Sequence, residues 1–156
     1  MYILFTYLLE LGVAIASLFS KKVRKMWRGE RHSFEILREK VDPNARYIWF
    51  HAASLGEFEQ GRPLMERVRQ NYPEYKILLT FYSPSGYEVR KDYKGADIIC
   101  YMPIDTPTNA IRFLRLVRPV MAFFIKYEFW YNFLHILHET GLTHLLELYM
   151  YFHLNF

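Results

Sequence analysis

Apolar and polar positions divide the chain into two regimes. Residues 3–19 (ILFTYLLELGVAIASLF) are apolar almost throughout, with Glu10 as the one charge. From residue 47 onward, short apolar runs of strand length alternate with stretches whose apolar residues recur at helical spacing. YIWFH at 47–51, KILLT at 76–80, DIICY at 97–101 and VMAFFI at 120–125 predict four strands. Between the first two, Gly61, Leu64, Met65, Val68 and Tyr72 share a helical face. Residues 86–93 suit a short helix, and Thr106-Pro107 reads as an N-cap plus N1 proline opening a helix to about Val117. A last helix is predicted over residues 129–140, stopped by Gly141. Residues 29–46 are polar and mixed in charge, with Asp42-Pro43-Asn44 as a turn signal.

Strands that are nearly continuous in hydrophobicity and joined by helical crossovers predict an α/β fold. The expected form is a Rossmann-like parallel sheet with helices on both faces. The pattern fails after Gly141, where residues 142–156 could supply one further strand without a helix to cover it. The expected organisation is therefore a membrane-anchoring helix with a basic tail (1–28), a Rossmann-like domain (29–141) and an atypical, truncated tail (142–156).

The first apolar run is read as a membrane helix. Its residues would reach about 27 Å, close to a hydrocarbon core of ~30 Å. Positive charges follow the run and do not precede it (Lys21, Lys22, Arg24, Lys25, Arg28), which is wrong for a cleaved signal peptide and places the rest of the chain in the cytoplasm. At 100° per residue, Thr6, Glu10, Ser17, Lys21, Arg24 and Arg28 fall within about 60° of one face, as in a helix lying in the headgroup plane. Spanning and interfacial placements both remain open, and a buried core helix is the alternative to either.

Charge sharpens this picture. The chain carries 20 Lys+Arg against 16 Asp+Glu, and the excess is concentrated in residues 21–46. A local basic segment beside an apolar helix points to lipid headgroups, not to a nucleic-acid surface. The single cysteine, Cys100, excludes an intrachain disulfide framework and a Cys-based zinc cluster. His135, His138 and His144 lack a further ligand pattern and read as surface and packing residues. Phe123, Phe124, Phe129, Trp130 and Phe133 read as core.

In open parallel sheets, ligands bind beyond the carboxyl ends of the strands. The loops there are HAASLGE (51–57), FYSPSG (81–86), MPIDTP (102–107) and KYEFWYN (126–132), and none carries a dinucleotide or P-loop fingerprint. Glu57 is the most pointed residue. Small neighbours (Ala52, Ala53, Ser54, Gly56) would let a ligand approach the backbone, and a helix N-terminus favours an anionic side chain. A carboxylate so placed could take a proton from a hydroxyl. It also fits a capping glutamate that only stabilises the helix.

Those four segments in order, with KMWRGER (25–31) after the apolar run, resemble the N-terminal half of the 3-deoxy-D-manno-octulosonic-acid (Kdo) transferases of lipopolysaccharide synthesis. The resemblance implies the acceptor-binding half of a GT-B glycosyltransferase, with CMP-Kdo as donor, a lipid A precursor as acceptor and no metal or other cofactor. It places the general base on Glu57 and a second functional acid on Glu128. Ser54, Gly56, Ser83, Ser85, Gly86 and Asp105 fall on matching loops as substrate-binding candidates. Lys126 and the basic segment could serve a phosphorylated acceptor. The implied location is the cytoplasmic face of the inner membrane. Tyr131 stands where the family commonly has proline, and the family would continue past Phe156 into a donor-binding domain. The 156 residues alone are therefore expected to be inactive. The rival reading is a membrane-anchored interaction module, or gene remnant, without catalysis.

Overall fold

The computed structural model describes residues 2–126, 130–139 and 145–148. The order is α1 (Tyr2–Phe19), α2 (Lys21–Lys40), β1 (Arg46–Ala52), α3 (Leu55–Asn71), β2 (Tyr75–Phe81), α4 (Pro84–Arg90), β3 (Ile98–Tyr101), α5 (Pro107–Val117), β4 (Pro119–Ile125), α6 (Tyr131–Glu139) and β5 (Leu145–Leu148). The strands form one sheet in the order β3-β2-β1-β4-β5, and every adjacent pair is parallel. The four expected strands are all present, and β5 comes from the segment read as a possible extra strand.

Side chains alternate across the sheet, which explains why each strand is apolar at nearly every position. One face presents Trp49, Leu78, Cys100 and Phe124 to Phe34 and Leu37 of α2, Phe113 of α5 and Phe133 of α6. The other presents Phe50, Leu79, Phe81 and Phe123 to Phe58, Met65 and Val68 of α3. Phe123, Phe124 and Phe133 are core, as their spacing suggested; Phe129 lies outside the described residues.

Two features at the N-terminus depart from the sequence reading. Residues 29–40, read as a polar connector, continue α2 as a helix that packs against β3 and α5. The membrane-spanning expectation is corrected: among the described residues no helix is long and apolar enough to cross a membrane. The apolar run stops at Ser20, whose hydroxyl accepts from the Val23 amide and caps α2. Arg24 then folds back, its Nε donating to Ser17 O at 2.8 Å and its Nη2 to Leu18 O at 2.6 Å, which satisfies carbonyls at the end of α1. The polar stripe of α1 is turned inward. Thr6 and Ser17 are buried, while Leu4, Phe5, Leu8, Leu11, Ile15, Leu18 and Phe19 are exposed. Tyr7 Oη and Thr108 Oγ1, 2.9 Å apart, tie α1 to the start of α5.

Candidate functional site at the carboxyl edge of the sheet

β1 ends at Ala52, and α3 begins two residues after Ala53 with Ser54 as its N-cap. The Ser54 hydroxyl does not cap the backbone; it donates to Glu57 Oε2 at 2.7 Å. Glu57 occupies the first turn of α3, half-buried, with its carboxylate held by the residue that opens the helix. Gly56 is exposed, and a Cβ there would meet only the Ser54 hydroxyl at 3.9 Å, so packing alone does not require glycine.

The loop after β2 is pinned to the loop after β1 by Ser83 N donating to Ala53 O at 2.7 Å. Ser83 caps α4, its Oγ accepting from Ser85 N and lying 3.0 Å from Ser85 Oγ. Gly86 has a packing reason: a Cβ would sit 2.3 Å from the Phe81 ring. Asp105 is buried and caps α6 across space. Its Oδ2 accepts from Asn132 N at 3.2 Å, its Oδ1 from Phe133 N at 3.1 Å, and its backbone carbonyl takes Asn132 Nδ2 at 2.6 Å. Lys126 leaves β4 exposed and in the left-handed region, φ 67°. Residues 127–129 lie outside the described residues, and Glu128 with them.

Beneath these loops is a buried polar group that sequence reasoning missed. Thr80 Oγ1 accepts from Trp49 Nε1 at 2.8 Å and lies 2.9 Å from His51 Nδ1. Burial pushes the His51 imidazole down to about 3, so it is neutral at physiological pH. Trp130 stands edge-on to the His51 ring at 5.4 Å and to the Tyr82 ring at 5.0 Å, so one indole touches the ends of β1 and β2 from the loop after β4. The HAASLGE segment contains His51, but nothing in its spacing announces that the ring is fully buried. Among the described residues no group of three His, Cys, Asp or Glu could hold a metal ion, and His135 and His138 are exposed on α6. His144 lies outside the described residues.

Fold and site together define a class: a Rossmann-like parallel α/β domain whose polar loops gather at the carboxyl edge, with a glutamate opening the first crossover helix. The family described as 3-deoxy-D-manno-octulosonic-acid transferase (kdotransferase) matches residues 27–146, and the chain belongs to that family. A 3-deoxy-D-manno-octulosonic acid transferase of Haemophilus influenzae is 34% identical over 94 residues, which is 60% of this chain and 22% of that protein. The Aquifex aeolicus transferase of the same name is 33% identical over 84 residues, covering 53% of this chain and 23% of its own length. A probable mitochondrial transferase of Arabidopsis thaliana is 32% identical over 93 residues, 59% of this chain and 21% of that protein. The matched stretch is thus under a quarter of each of these relatives.

Proposed function

We propose that these residues form the acceptor side of a glycosyl transfer in which Kdo passes from CMP-Kdo to a hydroxyl of a lipid A precursor. Glu57 acts as general base. Its carboxylate takes the hydroxyl proton as the acceptor oxygen bonds to the anomeric carbon, and CMP departs with the bonding electron pair. The observation that carries this reading is the Ser54–Glu57 contact at the carboxyl edge, since a carboxylate fixed there is oriented before substrate arrives. Glu128 would serve as the second acid, and Lys126, leaving the adjacent strand, as a cation for an acceptor phosphate. Ser83 and Ser85 supply exposed or half-exposed hydroxyls on the neighbouring loop.

Residues 1–156 alone would not transfer Kdo. The donor must be brought beside Glu57, and the greater part of each relative lies beyond the matched stretch. The exposed apolar side of α1, followed by Lys21, Arg24, Lys25 and Arg28, supports an interfacial placement on anionic lipid at the cytoplasmic face of the inner membrane.

The test is a chimera in which residues 27–146, the stretch that matches the family, replace the corresponding stretch of the Haemophilus influenzae relative. Kdo transfer is expected in the chimera. A drop of about 10²–10⁴-fold in turnover, with the fold retained, is expected on Glu57→Gln. Turnover unchanged by that substitution would remove Glu57 from the reaction.

A further inference from the structure

The loops at the carboxyl edge are held together by connections that run against the strand order. β3 and β4 stand with β2 and β1 between them. Asp105, on the loop after β3, nevertheless reaches the first turn of α6, which follows β4, and accepts the Asn132 and Phe133 amides. Trp130, at the entry to α6, reaches back the other way. Its ring stands 5.4 Å from that of His51, the penultimate residue of β1, and 5.0 Å from that of Tyr82, which follows β2.

The start of α6 shows how the two residues work as a pair. The Trp130 carbonyl accepts from Leu134 N at 2.8 Å, which makes Trp130 the cap residue of α6. A cap residue ordinarily brings a side-chain oxygen to the second or third amide of its helix, and an indole has none. Asp105 supplies those acceptors from another loop, and Asn132 Nδ2 donates to its backbone carbonyl at 2.6 Å. Capping from a distance leaves the cap position open to an aromatic side chain.

On β1 that side chain meets a fixed ring. His51 is fully buried, its Nδ1 lies 2.9 Å from Thr80 Oγ1 of β2, and the Trp130 and His51 planes are at 89°. From His51 the chain runs directly to Ser54, whose hydroxyl holds Glu57. On β2, Tyr82 precedes Ser83, whose amide donates to Ala53 O at 2.7 Å in the same stretch. Asp105 is 6% exposed with an amide on each carboxylate oxygen, so it has little surface to present to a ligand.

We propose that Asp105 and Trp130 are positioning residues for the Glu57 carboxylate. Asp105 fixes the first turn of α6, and the Trp130 indole set by that turn braces the ends of β1 and β2 from which the Ser54–Glu57 loop departs. The proposal rests on Glu57 acting as base, and neither residue touches the acceptor.

The test has two arms. In the 156-residue chain in detergent, NMR follows the Ser54 and Glu57 amides and the Trp130 indole N–H. Asp105→Asn sets an amide group against two backbone donors and should shift all three resonances. Trp130→Ala should shift the two amides, and Trp130→Phe should shift them less. In the chimera, Asp105→Asn and Trp130→Ala should each lower kcat by about 10–100-fold, with the acceptor KM within about twofold of the parent. Trp130→Phe should restore most of the rate. On a Glu57→Gln background, Trp130→Ala should cost at most about twofold more, because a group that acts through the base has nothing left to act through. Trp130 is half-buried, and its variants carry both arms where Asp105→Asn fails to fold.

A raised acceptor KM with kcat kept would overturn the proposal by making the pair substrate contacts. A full further loss on the Glu57→Gln background would overturn it by placing the effect elsewhere. Ser54 and Glu57 amides unmoved in folded Asp105→Asn and Trp130→Ala chains would overturn the coupling itself. Turnover unchanged by Glu57→Gln alone would instead remove the base assignment, and the resonances would then decide the coupling without it.

Discussion

Ser54 donates its hydroxyl to Glu57 Oε2 at 2.7 Å, so the residue that opens α3 holds the side chain of the helix's own first turn. The side chain makes no hydrogen bond to the helix backbone, which separates its effect on stability from its effect on the carboxylate. Ser54→Ala should therefore change stability by less than about 1 kcal/mol, the usual cost of losing a capping side chain. In the chimera it should lower turnover by about tenfold, far less than Glu57→Gln, because the base remains but is no longer oriented. Ser54→Thr keeps the hydroxyl and should restore most of the rate. A melting curve and a turnover assay on the same three proteins decide the matter; equal rates for Ala and Thr variants would make the contact incidental.

Two glycines on the candidate loops separate in the same way. At Gly86 a Cβ would lie 2.3 Å from the Phe81 ring, a fully buried side chain that has nowhere to go. Gly86→Ala should cost about 1–3 kcal/mol by overpacking. At Gly56 a Cβ meets only ordinary contact, and alanine is the better helix former, so Gly56→Ala should leave stability unchanged or slightly raised. Any loss of transfer in a Gly56→Ala chimera would then report on ligand approach beside Glu57. Urea unfolding of both variants is the measurement, and comparable destabilisation by the two would contradict the packing distinction.

The strands were legible because each of the four expected ones is buried on both faces, and the place of Glu57 in the first turn of α3 was legible because the chain turns from strand to helix just before it. α2 was not. Its sequence is dominated by charge, and the apolar contacts of Phe34 and Leu37 are spread thinly among Glu30, Arg31 and Arg38. Gly29 sits inside the helix, and the Tyr101 ring lies where a Cβ would be, 2.3 Å away, so packing requires glycine there. Asp105 shows the converse. Its place on a loop at the carboxyl edge is legible, whereas its acceptance of the Asn132 and Phe133 amides of α6, 27 and 28 residues distant, is contained in no local pattern.

Stability should depend on pH through two buried groups with opposite signs. Glu30 ionises at about 8 in the folded chain against an ordinary 4.5, so between those values the unfolded chain gives up a proton that the folded chain keeps. Stability from Glu30 is complete below about 4.5 and is lost as pH rises toward 8. His51 is held neutral down to about 3 against an ordinary 6.5, so its contribution is complete above 6.5 and is lost as pH falls toward 3. The two slopes oppose each other between 4.5 and 6.5. Glu30→Gln should match the parent in acid and exceed it by up to a few kcal/mol above pH 8, at most ~1.4 kcal/mol per pH unit crossed. Denaturant midpoints across the range test this; parallel curves for parent and variant would mean Glu30 ionises normally in the fold.

The exposed side of α1 leads to the last expectation. Leu4, Phe5, Leu8, Leu11, Ile15, Leu18 and Phe19 form an apolar surface, while Thr6 and Ser17 are buried and Arg24 closes the helix end. A surface of that kind next to Lys21, Lys25 and Arg28 should bind anionic vesicles through two additive terms. Salt screens the electrostatic one over a Debye length of ~8 Å at physiological strength and leaves the apolar one intact. High salt should therefore release only part of the chain from vesicles in a flotation assay. Removing residues 1–20 should release nearly all of it, and Leu8→Glu with Ile15→Glu should come close to that deletion without disturbing Tyr7–Thr108. Complete release of the intact chain by salt would show that the basic segment alone makes the attachment, and that the apolar side of α1 faces something other than lipid.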